Sequence, residues 1–167
     1  MLREDHNPLD VDAVVIEDDT YSVLSADPEF HEPTEHPLRI WTAAHEAVPA
    51  PPGTVAVRSG EPLKLLAVVH DLAEDPTWKE EWVASALLEI FEQADRLEIR
   101  SLALPVLGAV HGRLPVERFV LLLRQALDRS DRPTLASLCL IADAESRSEL
   151  ARLLESDGEA KTSGTAL

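Results

Sequence analysis

The stretch Ile99–Pro115, I-R-S-L-A-L-P-V-L-G-A-V-H-G-R-L-P, decides how the rest of the chain reads. Ser101 to Leu104 is short, apolar and bounded by Pro105, which predicts a buried strand. Gly108 and Gly112 then mark a loop. Pro115 opens an amphipathic helix to Arg129, with Phe119, Val120, Leu122, Leu123, Ala126 and Leu127 on or near one face. A glycine-bearing loop between a strand and a helix is where α/β proteins commonly hold anions. Its amides can approach a phosphate closely, and the helix N-terminus adds a favourable dipole. The same G-x-x-x-G spacing also serves as plain turn geometry, so the loop alone does not decide for a ligand.

Upstream, Val11 to Ile16 (V-D-A-V-V-I) reads as a mostly buried strand that runs into the acidic knot Glu17-Asp18-Asp19. The segment from Ala26 to Pro37 holds three prolines and four acids and reads as an exposed loop. A short helix over Leu38–Ala47 carries Trp41, Ala44 and His45 at helical spacing. Thr54–Arg58 alternates, and Leu63–His70 is a near-continuous apolar run; Ser59-Gly60-Glu61-Pro62 between them suits a hairpin. The longest helix is predicted to start at Pro76 with Asp75 as its cap. Its stripe is Trp78, Trp82, Val83, Ala86, Leu87, Ile90, Phe91, Ala94 and Leu97. Thr134–Ala142 reads as a further buried strand, with Cys139 a small buried hydrophobe inside it. Asp143 can cap a last helix, Ala144–Leu154.

Strands and helices alternate in the second half, while two strands are adjacent in the middle. The expected architecture is therefore α/β: a three-layer α/β/α domain with a mixed, mainly parallel central sheet. One domain over residues 1–155 and a polar, disordered tail over 156–167 complete the reading. Ligands in such folds sit at the carboxyl ends of the strands. That edge gathers the acidic knot, the His70-Asp71 corner and the Gly108–Gly112 loop.

The charge balance narrows the partners. The 167 residues hold 31 acids against 15 Lys and Arg, a net charge of -16. There is no Lys/Arg cluster, so neither nucleic acid nor an anionic membrane surface is expected as a partner. Any phosphate-bearing ligand must be held mainly by backbone amides. A single cysteine allows no internal disulfide, and with no secretory segment in the sequence a cytoplasmic location is the expectation.

Over about residues 9–142 the sequence resembles the macro domains, which bind ADP-ribose. The resemblance is carried by L-A-L-P-V-L-G-A-V-H-G-R-L-P, similar to that family's second ligand loop, and by D-A-V-V at Asp12–Val15, similar to its first buried strand. Pro52–His70 is similar to its middle hairpin, and W-T-A-A-H-E-A at Trp41–Ala47 stands where the family has an alanine-rich helix. The resemblance implies a nucleotide cradle at Gly108, Ala109, Val110, His111, Gly112 and Arg113. The departures lie elsewhere. The family's asparagine pair and glycine run after the first strand read I-E-D-D-T-Y here, and no glycine precedes Gly53. The asparagine that helps to hold or hydrolyse the distal ribose falls on Asp19, and an acid for the adenine amino group falls by spacing on Asp5.

Each candidate has a plain reading beside the functional one. The acidic knot reads most simply as a solvated strand end; alternatively Asp19 orients a ribose hydroxyl or a water, which makes it the one candidate for catalysis. His111 is either a phosphate or ribose contact or an exposed loop histidine. His70 reads as a satisfied buried histidine rather than a base. His31 and His36 match no zinc spacing, so no metal is expected, and no cofactor. The leading expectation is a divergent macro-like domain that binds ADP-ribose or a related nucleotide weakly through its second loop. The alternative is a degenerate macro-like fold without nucleotide binding, serving as a protein interaction or assembly module, with a protein partner or a second copy of the chain. A third reading, an ADP-ribosyl hydrolase, requires Asp19 or His111 to position water.

Overall fold

The structure, a computed structural model, describes residues 10–24, 49–109, 113–130 and 134–162. Its sheet contains β1 (Ala13–Asp19), β2 (Val55–Arg58), β3 (Leu63–His70), β4 (Ser101–Pro105) and β5 (Ser137–Ile141), in the order β2-β3-β1-β4-β5. β2 and β3 form the expected antiparallel hairpin, and the remaining pairs are parallel. The helices are α1 (Glu80–Arg96), α2 (Val116–Arg129) and α3 (Ala144–Thr162). α1 packs on β2 and β3, α2 on α1, and α3 on α2. This is the mixed, mainly parallel α/β architecture that the alternation of elements implied.

Period-two alternation sorts the residues of the three inner strands, β3, β1 and β4, between the two faces of the sheet. Ala13 and Val15, Leu65, Ala67 and Val69, and Leu102 and Leu104 join Val83, Leu87, Ile90, Phe91, Phe119 and Leu123 in one core cluster. Leu66, Val68 and Ala103 alternate to the opposite face and are buried as well. Burying a side chain of this size contributes about 1.5–3 kcal/mol. Among the described residues, no helix is long and apolar enough to cross a membrane. The helix expected over Leu38–Ala47 and the loop from Ala26 to Pro37 lie outside the described residues, as do Asp5, His31 and His36.

Four local expectations are corrected. β1 begins at Ala13 rather than Val11 and does not stop at Ile16; its parallel pairing with β3 carries it through the acids to Asp19. α1 begins at Glu80 rather than Pro76. The backbone before it is used across the fold instead, with Trp78 bridging His70 and the Asp71 N–H donating to the Thr77 carbonyl at 2.7 Å. β5 is an edge strand in which Leu138 and Leu140 turn inward and Ser137, Cys139 and Ile141 are exposed, so Cys139 is not a core residue. α3 is capped as expected, the Ser146 N–H donating to Asp143 Oδ1 at 2.7 Å, but it runs on to Thr162 rather than ending at Leu154.

At the amino-terminal edge, Asp12 joins β1 to the start of β4. Its Oδ2 accepts the N–H groups of Arg100 at 2.9 Å and Ser101 at 2.8 Å. The backbone N–H of Ser101, then its hydroxyl and the N–H of Arg100, hold this carboxyl below the usual aspartate range. A depressed folded-state pKa gives stability that is present above the unfolded value and is lost as pH falls through the folded one. The melting temperature of wild type should therefore exceed that of Asp12→Ala at neutral pH, and the gap should close below about pH 4. A gap that stays constant into acid would contradict this role.

Candidate functional site at the carboxyl edge of the sheet

β1 and β4 pair only at Ala13↔Leu102 and Val14↔Ala103, whereas β1 and β3 stay paired to their ends. Beyond Val14 the paired register between the two strands ends, and the loop after β4 returns to β1 through Gly108. Glu17 stands past that point. Its Oε2 accepts the N–H of Gly108 at 2.9 Å, and its Oε1 pairs with Nε2 of His70. One carboxylate thus joins the ends of β1 and β3 to the loop after β4. The reading of the acids as a solvated strand end is overturned: Glu17, Asp18 and Asp19 are 8%, 1% and 0% exposed.

Gly108 adopts the left-handed backbone conformation at this contact. Its φ is +78°, and a Cβ there would stand 3.2 Å from Leu114 Cβ and 3.3 Å from Val83 Cγ2. A side chain at this position is therefore both strained and crowded. The Gly108 carbonyl accepts the Leu114 N–H at 3.1 Å, which closes the loop, and the Ala109 N–H donates to Val106 at 3.2 Å. Of the six expected cradle residues, Gly108 and Ala109 thus have their amides bonded within the chain. Arg113 is exposed, and Val110, His111 and Gly112 lie outside the described residues.

Asp19 is committed in the same way. Its Oδ1 accepts the N–H of Tyr21 at 2.8 Å, and its Oδ2 accepts those of Val23 and Leu24 at 2.7 Å each. Asp18 Oδ1 accepts the Asp19 N–H at 2.9 Å. Buried carboxylates survive only with such donors, and the turn over 20–24 supplies them. The register between β1 and β3 shifts between Asp18 and Asp19, the kind of irregularity that re-aims a side chain at a strand end. Thr20 is the residue left over: its buried hydroxyl has no hydrogen-bond partner among the described residues.

His70 is 1% exposed, as expected of a satisfied core histidine, but its acidic partner is Glu17 and not its neighbour Asp71. Asp71 instead holds its own turn, accepting the Ala73 N–H at 3.0 Å. Sequence reasoning missed the Glu17–His70–Gly108 junction because it depends on strand order, which brings residue 17 beside residues 70 and 108. The available signal was an acid and a histidine, each at the end of an apolar strand expected to be parallel. No group of three or more His, Cys, Asp or Glu able to hold a metal occurs among the described residues.

These features define a mixed α/β domain of the kind that places its ligand edge where the strands end. More particularly, the fold is that of the macrodomains. It matches the Oceanobacillus iheyensis macrodomain solved with ADP at a TM-score of 0.62 and 15% identity, over 90% of this chain and 86% of that one. It matches the macrodomain of Thermus aquaticus DarG at a TM-score of 0.57 and 20% identity, over 79% and 89%. The macro domain of ganglioside induced differentiation associated protein 2 gives 0.60 and 14%, over 86% and 76%. No protein-family model matches the sequence, and no curated protein does either.

Proposed function

We propose that this is a macrodomain-fold protein in which the Gly108 and Ala109 amides of the expected cradle are satisfied from within, and that it serves as a protein interaction or assembly module rather than as an ADP-ribose binder. The observation that carries this reading is the bond from the Gly108 N–H to Glu17 Oε2. An amide already given to a buried carboxylate is not available to an external phosphate. The carboxylate also opposes the ligand by charge: at about 4 Å, two like charges repel by roughly 1 kcal/mol in water and by about 4 at the effective dielectric of a protein surface. The hydrolase reading gains no support from Asp19, which is fully buried and takes three backbone N–H groups of its own turn.

Weak nucleotide binding through the Val110–Arg113 side of the loop is the second reading. It is favoured by the match to a macrodomain solved with ADP. Calorimetry separates the two. With protein well above micromolar concentration, titration with ADP-ribose is expected to give no binding heat. A saturable isotherm in the micromolar range would replace the first reading with the second.

A further inference from the structure

We propose that Glu17, held by His70, is the residue that denies the carboxyl edge to anionic ligands, and that it does so by its charge rather than its bulk. This rests on the reading that the Gly108 amide is closed to an external anion, and it names the residue responsible. Three observations support it. Gly108 stands at a φ of +78°, its carbonyl bonded to the Leu114 N–H and its own N–H directed at the carboxylate. The acceptor it meets is an acid 91 positions away in sequence. That acid is 8% exposed and is steadied by Nε2 of His70, so it is a resident group and not a wandering surface side chain. A glycine backbone N–H just past the end of a strand is an arrangement proteins offer to anions. Here the anion belongs to the chain.

The charge-only variant is Glu17→Gln. Glutamine Oε1 can accept from Gly108 while its NH2 meets Nε2 of a His70 ring protonated on Nδ1, so the junction keeps its shape. The neutral oxygen is a weaker acceptor that an external anion can displace. Glu92→Gln serves as the control, removing one charge from an exposed position on α1. Wild type and both variants are titrated with inorganic pyrophosphate and with ADP-ribose, with the Gly108 amide followed by NMR and folding checked by circular dichroism. Glu17→Gln should bind at least about tenfold more tightly than wild type, with the Gly108 resonance moving in step, and Glu92→Gln should match wild type. Glu17→Ala, which removes charge and bulk together, is read alongside: it decides whether Glu17 bars the anion at all, and Glu17→Gln decides whether charge alone does so.

A folded Glu17 variant that binds no better than wild type overturns the proposal. So does a gain equalled by Glu92→Gln, or binding that leaves Gly108 unmoved. The proposed function has a separate failure: wild type itself saturating with ADP-ribose ends that reading, whatever the variants do.

Discussion

Replacing Glu17 by alanine is expected to lower the free energy of unfolding by about 2–5 kcal/mol, the range for leaving two buried hydrogen-bonding groups without their shared acceptor. The substitution takes the acceptor from the Gly108 N–H and the carboxylate from His70 at the same time. Three chain segments meet there, so the damage is not confined to one loop. In a chain of this length each kcal/mol shifts the melting temperature by roughly 2–4 °C, so a fall of about 4–20 °C should appear in a thermal scan. Glu17→Gln should lose much less, because its amide oxygen keeps the bond from Gly108. A loss below about 1 kcal/mol for the alanine variant, measured by urea unfolding, would show that the junction does not hold the edge together.

Asp19 gives the second large effect, with a sharper chemical signature. Hydrogen bonds to a charged acceptor contribute about 1.5–3 kcal/mol each and do not add fully, so Asp19→Ala should cost about 2–4 kcal/mol. The revealing variant is Asp19→Asn. In the native turn both side-chain oxygens face N–H donors: Oδ1 faces Tyr21, and Oδ2 faces Val23 and Leu24. An asparagine must set its NH2 group against one of those donors, so it should rescue little of the loss. Full stability in Asp19→Asn would mean that the turn is held by something other than the charge. The macro-domain resemblance puts an asparagine at this position, and the aspartate here has a different task from orienting a ribose: it ties down the chain that follows β1.

The fold was legible in the sequence wherever a local pattern sufficed. The apolar run Leu63–His70 is β3 to the residue, and the stripe from Val83 to Ala94 is the buried face of α1. Where tertiary pairing outweighed local signals, the reading failed. Asp75-Pro76 is a good helix start in isolation, yet the backbone at Thr77 and Trp78 pairs with Asp71 and His70, and this delays α1 to Glu80. Cys139 sits among apolar residues but on the outward side of an edge strand, a fact fixed only by the order of the sheet. The candidate site was half legible. Its three segments were foreseen to meet, because strands of one sheet share an edge. The acids were misread as solvated, since nothing in E-D-D itself tells that a glycine amide, a histidine and a turn of three N–H groups will receive them.

Amide hydrogen exchange at Gly108 tests the central claim most directly. If its N–H is bonded to a buried Glu17, exchange in wild type should be slowed at least about a hundredfold relative to a free loop amide, an opening free energy near 2.7 kcal/mol. That protection should vanish in Glu17→Ala while the core amides of β3 stay protected. Exchange of the wild-type Gly108 amide at the rate of an open loop would contradict the account, because the donor would then be free to meet a ligand.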